Sequence, residues 1–282
     1  MNTHAEVITV IDADNRHFKL DLLEVFRYRD LIWLFVKRDF KLTYKQTVLG
    51  PLWIFLSPLF STVVYTFIFG NLAGLSTDGT PQFLFYMAGN ILWNYFAVTF
   101  NGTSNTFVAN AGLFGKVYFP RLTVPISHLI TALFNLFIQI GMFFIFYLFF
   151  WMTGVRTTPS HWIWLVPLML VQVGLLGMGC GILVSALTTK YRDLSLAVGF
   201  GIQLWMFVTP VVYPFSLTGG IMRTILYINP MTMPMELFRY ALLGTGQFSF
   251  GFWGLSIGIT AVSVLVGAVL FNRIEKTFMD TV

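Results

Sequence analysis

The chain has 282 residues, of which 56% are apolar, 18% aromatic and only 10% charged. A soluble globular domain carries about a quarter charged residues, so that class is excluded. The net charge of +5 does not point to nucleic acid, because the basic residues are sorted by sidedness rather than gathered into one patch.

Residues 1–20 are polar and read as a cytoplasmic lead, and the first 49 residues hold no short apolar core followed by a small-residue cleavage site, so no cleavable signal peptide is expected. Residues 22–46 read as one amphipathic helix lying along a membrane surface. At 100° per residue, Leu22, Val25, Phe26, Ile32, Trp33, Val36, Phe40 and Tyr44 fall on one side, and Arg27, Asp30, Lys37, Arg38, Lys41 and Lys45 on the other. Arg29 and Asp39 intrude on the apolar side or its edge. Such a helix serves as a basic anchor for anionic lipid or as a docking element, and the pattern leaves both open.

Beyond Gly50-Pro51, six stretches contain no Asp, Glu, Lys or Arg: residues 50–77, 81–115, 122–155, 157–189, 194–222 and 240–272. A helix needs ~20 predominantly apolar residues to cross a ~30 Å hydrocarbon core, and each stretch is long enough. The expectation is an all-α membrane protein with six transmembrane helices. Fourteen of the 17 Lys and Arg then fall on the side of the N-terminus, against Arg156, Arg223 and Arg239 on the other, which places both termini in the cytoplasm. The organisation is a segment 1–49 with the interface helix, a transmembrane domain 50–274, and a tail 275–282. Within the domain, Pro214, Gly219-Gly220, Asn229-Pro230, Pro234 and Gly244 break residues 214–247 into pieces too short to span. Asn229 with Pro230 is a helix start and Gly244 a helix end, so two short helices before the last span are expected to re-enter the outer leaflet. A loop packed on the outer surface is the alternative.

Ionisable groups are almost absent from the spans. No HExxH, CxxC or paired-carboxylate pattern occurs, and the lone Cys180 allows no internal disulfide. The segment Gly112 to Val117 lacks the glycine spacing and the Ser/Thr of a phosphate loop, so this chain is not expected to bind ATP. Ion-coupled transport usually needs intramembrane carboxylates, histidines or lysines, so driving energy is expected from another polypeptide. On the second span Asn90, Asn94, Asn101, Ser104 and Asn105 share one face, as helix–helix glue or as a border with water. Gly177, Gly181 and Ser185, and then Gly254 and Gly258, recur every four residues, which reads as close helix packing. Thr62, Tyr65, Thr66 and Phe69 share a face of the first span that mixes hydroxyls with rings, a surface suited to sugars.

Tyr44-Lys-Gln-Thr-Val-Leu-Gly-Pro-Leu-Trp53 with Pro58, Phe119-Pro120-Arg121 with Pro125, Tyr191-Arg192-Asp193-Leu194, and Asn229-Pro230 leading to Phe238-Arg239 occur in this order. Together they resemble the membrane subunits of ABC-2 type polysaccharide exporters, which move O-antigen, capsular polysaccharide or teichoic acid. The resemblance implies a homodimer in the bacterial inner membrane, working with two copies of a separate ATPase subunit that holds ATP and Mg, with no cofactor in this chain and a lipid-linked polysaccharide as cargo. It also implies a helix between spans 2 and 3 that couples to the ATPase, for which Leu113, Phe114, Lys116 and Tyr118 are the candidates. Channel-lining candidates are Thr62, Tyr65, Thr66 and Phe69 on span 1, with Trp205 and Phe207 facing them from span 5. A drug or lipid exporter of the same class is the first alternative. A membrane glycosyl- or acyltransferase is the second, opposed by the missing acid/base residues.

Overall fold

The computed structural model describes residues 22–45, 47–114, 116–117, 119–155, 157–190 and 193–279, and all their regular structure is helical. The N-terminal amphipathic stretch is two helices rather than one, α1 (Leu22–Arg27) and α2 (Arg29–Tyr44), separated by a turn at Tyr28. Val25, Ile32 and Val36 are buried as their stripe requires, and Phe35, outside that stripe, is buried with them, whereas Phe26 is 74% exposed. Trp33 is half in contact, its ring 5.9 Å from that of Phe134.

Helix α3 (Trp53–Tyr65) runs on into a π-helical stretch, Thr66–Leu72. It is followed by α4 (Gln82–Ser104), α5 (Thr106–Phe114) and α6 (Thr123–Met152), then a 3₁₀ turn His161–Leu165 leading into α7 (Val166–Lys190). The remaining helices are α8 (Leu194–Val208), α9 (Gly220–Ile228), α10 (Thr232–Leu243) and α11 (Phe250–Met279). Four helical stretches among the described residues are long and apolar enough to cross a membrane: Gly50–Leu72, Thr123–Met152, His161–Thr188 and Phe250–Arg273. The two other expected spans differ from these in kind. Helix α4 has the length, 23 residues, but carries Asn90, Asn94 and Asn101. Helix α8 has only 15 residues, rising about 22 Å at ~1.5 Å per residue, short of a ~30 Å core.

The core is built around α7, which packs on α4 along one side and on α11 along the other. Its small residues explain why. A Cβ at Gly181 would collide with Thr103 Oγ1 and come within 2.7 Å of the Phe100 carbonyl, and one at Gly177 would reach 3.0 Å from the Phe96 carbonyl. On the opposite side Gly179 and Gly267 leave room for α11. The expected packing role for Gly254 and Gly258 is corrected: a Cβ at either meets nothing within 4 Å. They lie on the outward side of α11, while the contact with α7 runs through Gly267 and Ser263.

The asparagines of α4 divide between two fates. Asn90 donates to the Pro58 carbonyl of α3 at 3.0 Å, and Asn94 donates to Gln139 Oε1 of α6 at 3.3 Å. These two are helix–helix glue. Asn101 and Asn105 are exposed near the end of α4. Replacing Gly181 by Val should push α4 from α7, costing roughly 1–3 kcal/mol by overpacking. Thermal unfolding in detergent should show a clear loss for Gly181→Val and none for Gly258→Ala; equal midpoints for both would refute the packing assignment.

Candidate functional site

Helix α5 sits where α2, α7, the start of α6 and the end of α11 converge. Its inner face is aromatic. Phe107 lies 4.5 Å from the Phe271 ring and 6.0 Å from Phe114, and Phe114 in turn lies 5.7 Å from Phe119, which meets Phe35 of α2 at 5.7 Å. The Arg121 guanidinium, itself buried, stands 5.2 Å over Phe114. Ile182 of α7 and Val124 of α6 complete this cluster. Of the coupling candidates, Phe114 is therefore a core residue at 3% exposure, Leu113 is packed against the cluster, and Lys116 is exposed. Tyr118 lies outside the described residues. The outward face consists of Val108, Ala109, Gly112, Lys116 and Val117, all exposed.

The channel-lining candidates are brought only partly together. Thr62 is fully buried, and its hydroxyl donates to the Pro58 carbonyl at 2.8 Å, so in this conformation it presents nothing to a passing molecule. The Thr66 hydroxyl donates to the Thr62 carbonyl, 2.8 Å away. Tyr65 and Phe69 are half-buried with rings 6.0 Å apart, and Tyr65 reaches α8 through its hydroxyl, 3.7 Å from Met206 Sδ. Trp205 turns the other way. Its ring packs on Phe96 at 5.1 Å, and its Nε1 donates to Asn229 Oδ1 at 3.1 Å. Phe207 points outward and is 54% exposed.

A third site was not anticipated. Glu236 and Arg239, one turn apart on α10, are each about 1% exposed. Arg239 donates to the carbonyls of Pro210 and Val211, both at 2.6 Å, lies 3.4 Å from Glu236 Oε1 and stands 3.8 Å over the Phe85 ring. Glu236 Oε2 accepts from the Gln247 backbone at 2.9 Å. Gly89 of α4 has no side chain because one would strike the Val211 carbonyl at 2.6 Å. Asn229 completes the grip on the end of α8, its Nδ2 donating to Val208 O at 3.1 Å and to Thr209 Oγ1 at 2.9 Å. The sequence counted Arg239 as an external positive charge; the structure makes it an internal tie. Opposite charges at i and i+3 inside an otherwise apolar helix were the available signal.

The described residues are all helical in their regular structure and include several helices long and apolar enough to cross a membrane, as a multi-pass membrane protein requires. The sequence profile of the ABC-2 type transporter family matches residues 30–243, and the chain belongs to that family. It is 27% identical over 252 residues, 89% of this chain and 94% of the relative, to an O-antigen export system permease protein of Klebsiella pneumoniae. A protein of the same name from Myxococcus xanthus is 26% identical over 218 residues, 77% of this chain and 81% of the relative. The polysialic acid transport protein of Escherichia coli is 22% identical over 249 residues, 86% and 93% respectively.

Removing one member of a buried ion pair leaves the other uncompensated, at a cost of about 3–5 kcal/mol. Arg239→Met should therefore destabilise the protein strongly and lower the amount recovered from membranes. Glu236→Gln keeps an acceptor for the Gln247 amide but leaves the Arg239 charge uncompensated, so it should be destabilising as well. Wild-type yield and unfolding temperature for Arg239→Met would show the tie to be dispensable.

Proposed function

We propose that this chain is the transmembrane subunit of an ATP-driven exporter that carries a lipid-linked polysaccharide, O-antigen before other polymers, across the bacterial inner membrane. The observation that carries the reading is the near full-length similarity to proteins named as O-antigen export permeases. The more distant relative named for polysialic acid transport keeps the cargo within polysaccharides.

In this reading the six spans of the 50–274 domain are α3 with its π-helical continuation, α4, α6, α7 with its leading turn, α8 and α11. Helices α9 and α10 re-enter the outer leaflet, and both termini are cytoplasmic. Two copies pair to form the pathway, and two copies of a separate ATPase bind ATP and Mg. The exposed face of α5 with Lys116 and Val117 seats the ATPase, while Leu113 and Phe114 hold that face to the rest of the protein. Tyr65, Thr66 and Phe69, with Phe207 and Trp205, border the path in the open state. Many weak contacts along such a path suit a hydroxylated polymer that has to bind and leave repeatedly.

Deleting the gene in its host should remove polysaccharide from the cell surface while lipid-linked polymer accumulates inside. Restoring the gene with Lys116→Glu and Val117→Asp together should give normal insertion but little export. Phe114→Ala should instead lower the folded protein itself, as expected for a loss of about 3–5 kcal/mol from the core. Unchanged surface polymer in the deletion strain would overturn the reading.

The path can be tested separately, in a Cys180→Ser background that leaves no native cysteine. Tyr65→Cys and Phe207→Cys should react with a water-soluble thiol reagent when the ATPase is trapped in its working state, and Thr62→Cys should not. Failure of both to react in every nucleotide state would place the path elsewhere.

A further inference from the structure

Asp39 sits at the edge of the apolar side of α2, where a carboxylate is costly unless it is partnered. Arg38 bonds one of its oxygens, and His128 approaches the other, buried oxygen without completing a hydrogen bond. Its Oδ1 accepts from Arg38 Nε at 2.9 Å, with the second Arg38 nitrogen at 2.8 Å. Its Oδ2 lies 3.2 Å from Nδ1 of His128, near the start of α6. The side chains of Asp39 and His128 are 13% and 23% exposed, so water screens the contact only in part. The imidazole rests on Gly102 of α4, where an added Cβ would approach the ring to 3.1 Å. Arg38 reaches on to Asn110 Oδ1 of α5 at 3.5 Å and covers the Phe35 ring at 4.7 Å. Asn110 is buried and donates to the Thr106 carbonyl at 3.0 Å, which fixes it within α5. Helices α2, α4, α5 and α6 thus meet at one polar node above the aromatic cluster.

Apolar packing through Ile32, Phe35 and Val36 could hold α2 to α6 without this node. Such packing tolerates sliding along a helix surface, whereas a half-buried polar contact is lost on a shift of one turn. Fixing register is the best-attested use of a buried polar contact. We propose that Asp39 and His128 are positioning residues: they form a joint that fixes the interface helix to α6, linked through Arg38 to α5, and the joint stays closed while the partner ATPase works. The proposal rests on the reading of the chain as an exporter subunit driven by a separate ATPase. A push on α5 and α2 then reaches the membrane helices without being lost as sliding.

The test uses the complete transporter with its ATPase, in the Cys180→Ser background. Asp39→Asn and His128→Gln should insert normally and support ATP hydrolysis close to the parental rate, while surface polymer falls by at least about fivefold, the lower range of measured site-to-site couplings. A purely structural role would lower insertion, hydrolysis and export together. The Asp39→Cys/His128→Cys pair should export poorly when unbridged and recover when a short bis-thiol reagent links the two cysteines. This comparison decides the matter even where the single variants insert badly, because both arms use the same protein. Parental export by both single variants, or lower export after bridging, would overturn the joint. Absence of polymer export by the parent transporter would instead sink the exporter reading.

Discussion

Everything at the α10 end of the molecule depends on how the end of α8 is satisfied. The last carbonyls of a helix have no partners within it, and in apolar surroundings no water replaces them. Here the chain continues through Thr209-Pro210-Val211, and donors come from residues further along: Asn229 for the Val208 carbonyl and the Thr209 hydroxyl, Arg239 for the Pro210 and Val211 carbonyls. A single guanidinium can bond two successive carbonyls because its donors form a rigid planar fork. Its charge is balanced by Glu236 and its face by the Phe85 ring. The end of α8 and the fold of the α9–α10 segment are consequently one interaction. Neither has its native form without the other.

The constraint at the centre is steric. Helix α7 touches α4 and α11 at once only because glycines lie on both its faces, Gly177 and Gly181 on one and Gly179 on the other. Close approach also lets Thr103 reach the Gly177 carbonyl at 3.4 Å, a polar contact that longer side chains would prevent. On the α11 side, Gln172 of α7 accepts from Trp253 Nε1 at 2.6 Å and donates to Ser256 at 2.7 Å. Ser256 in turn donates to the Pro230 carbonyl. The central packing and the elbow between α9 and α10 are therefore connected through buried polar atoms rather than through loops.

Much of this was legible in the sequence, for identifiable reasons. Long charge-free runs show helices, and the glycine spacing of α7 marks a packed face whatever its neighbour. Asn229 caps the Met231 amide at 3.1 Å, and Gly244 takes the left-handed conformation, φ 75°, that ends α10. The sequence was silent wherever a residue's meaning depends on a distant partner. Asp39 looked like a flaw in an amphipathic stripe because His128 is 89 residues away. Arg239 looked external because sidedness counting assigns every basic residue to water. Gly254 and Gly258 share their spacing with Gly177 and Gly181, and spacing cannot say which side of a helix has a neighbour. The break at Tyr28 carries neither Gly nor Pro, so no local signal marks it.

The two ends of the molecule are fixed by polar contacts, and between them α3 and α8 leave many apolar side chains exposed among the described residues. Both helices touch α4 through their inner residues, Pro58 and Asn90 at the α3 boundary, Trp93 and Trp205 at the α8 boundary. Their outer residues remain exposed, Phe60, Val63 and Phe67 on α3 and Leu196, Phe200, Leu204 and Phe207 on α8. Helix α8 also carries Gly199 and Gly201 with open space beside them. Apolar side chains left outward on a membrane helix face lipid or a further packed helix. The firm end of α8 is the one that Asn229 and Arg239 grip. The polar ties of α8 are thus gathered at its α10 end, while its outer length presents mostly apolar side chains.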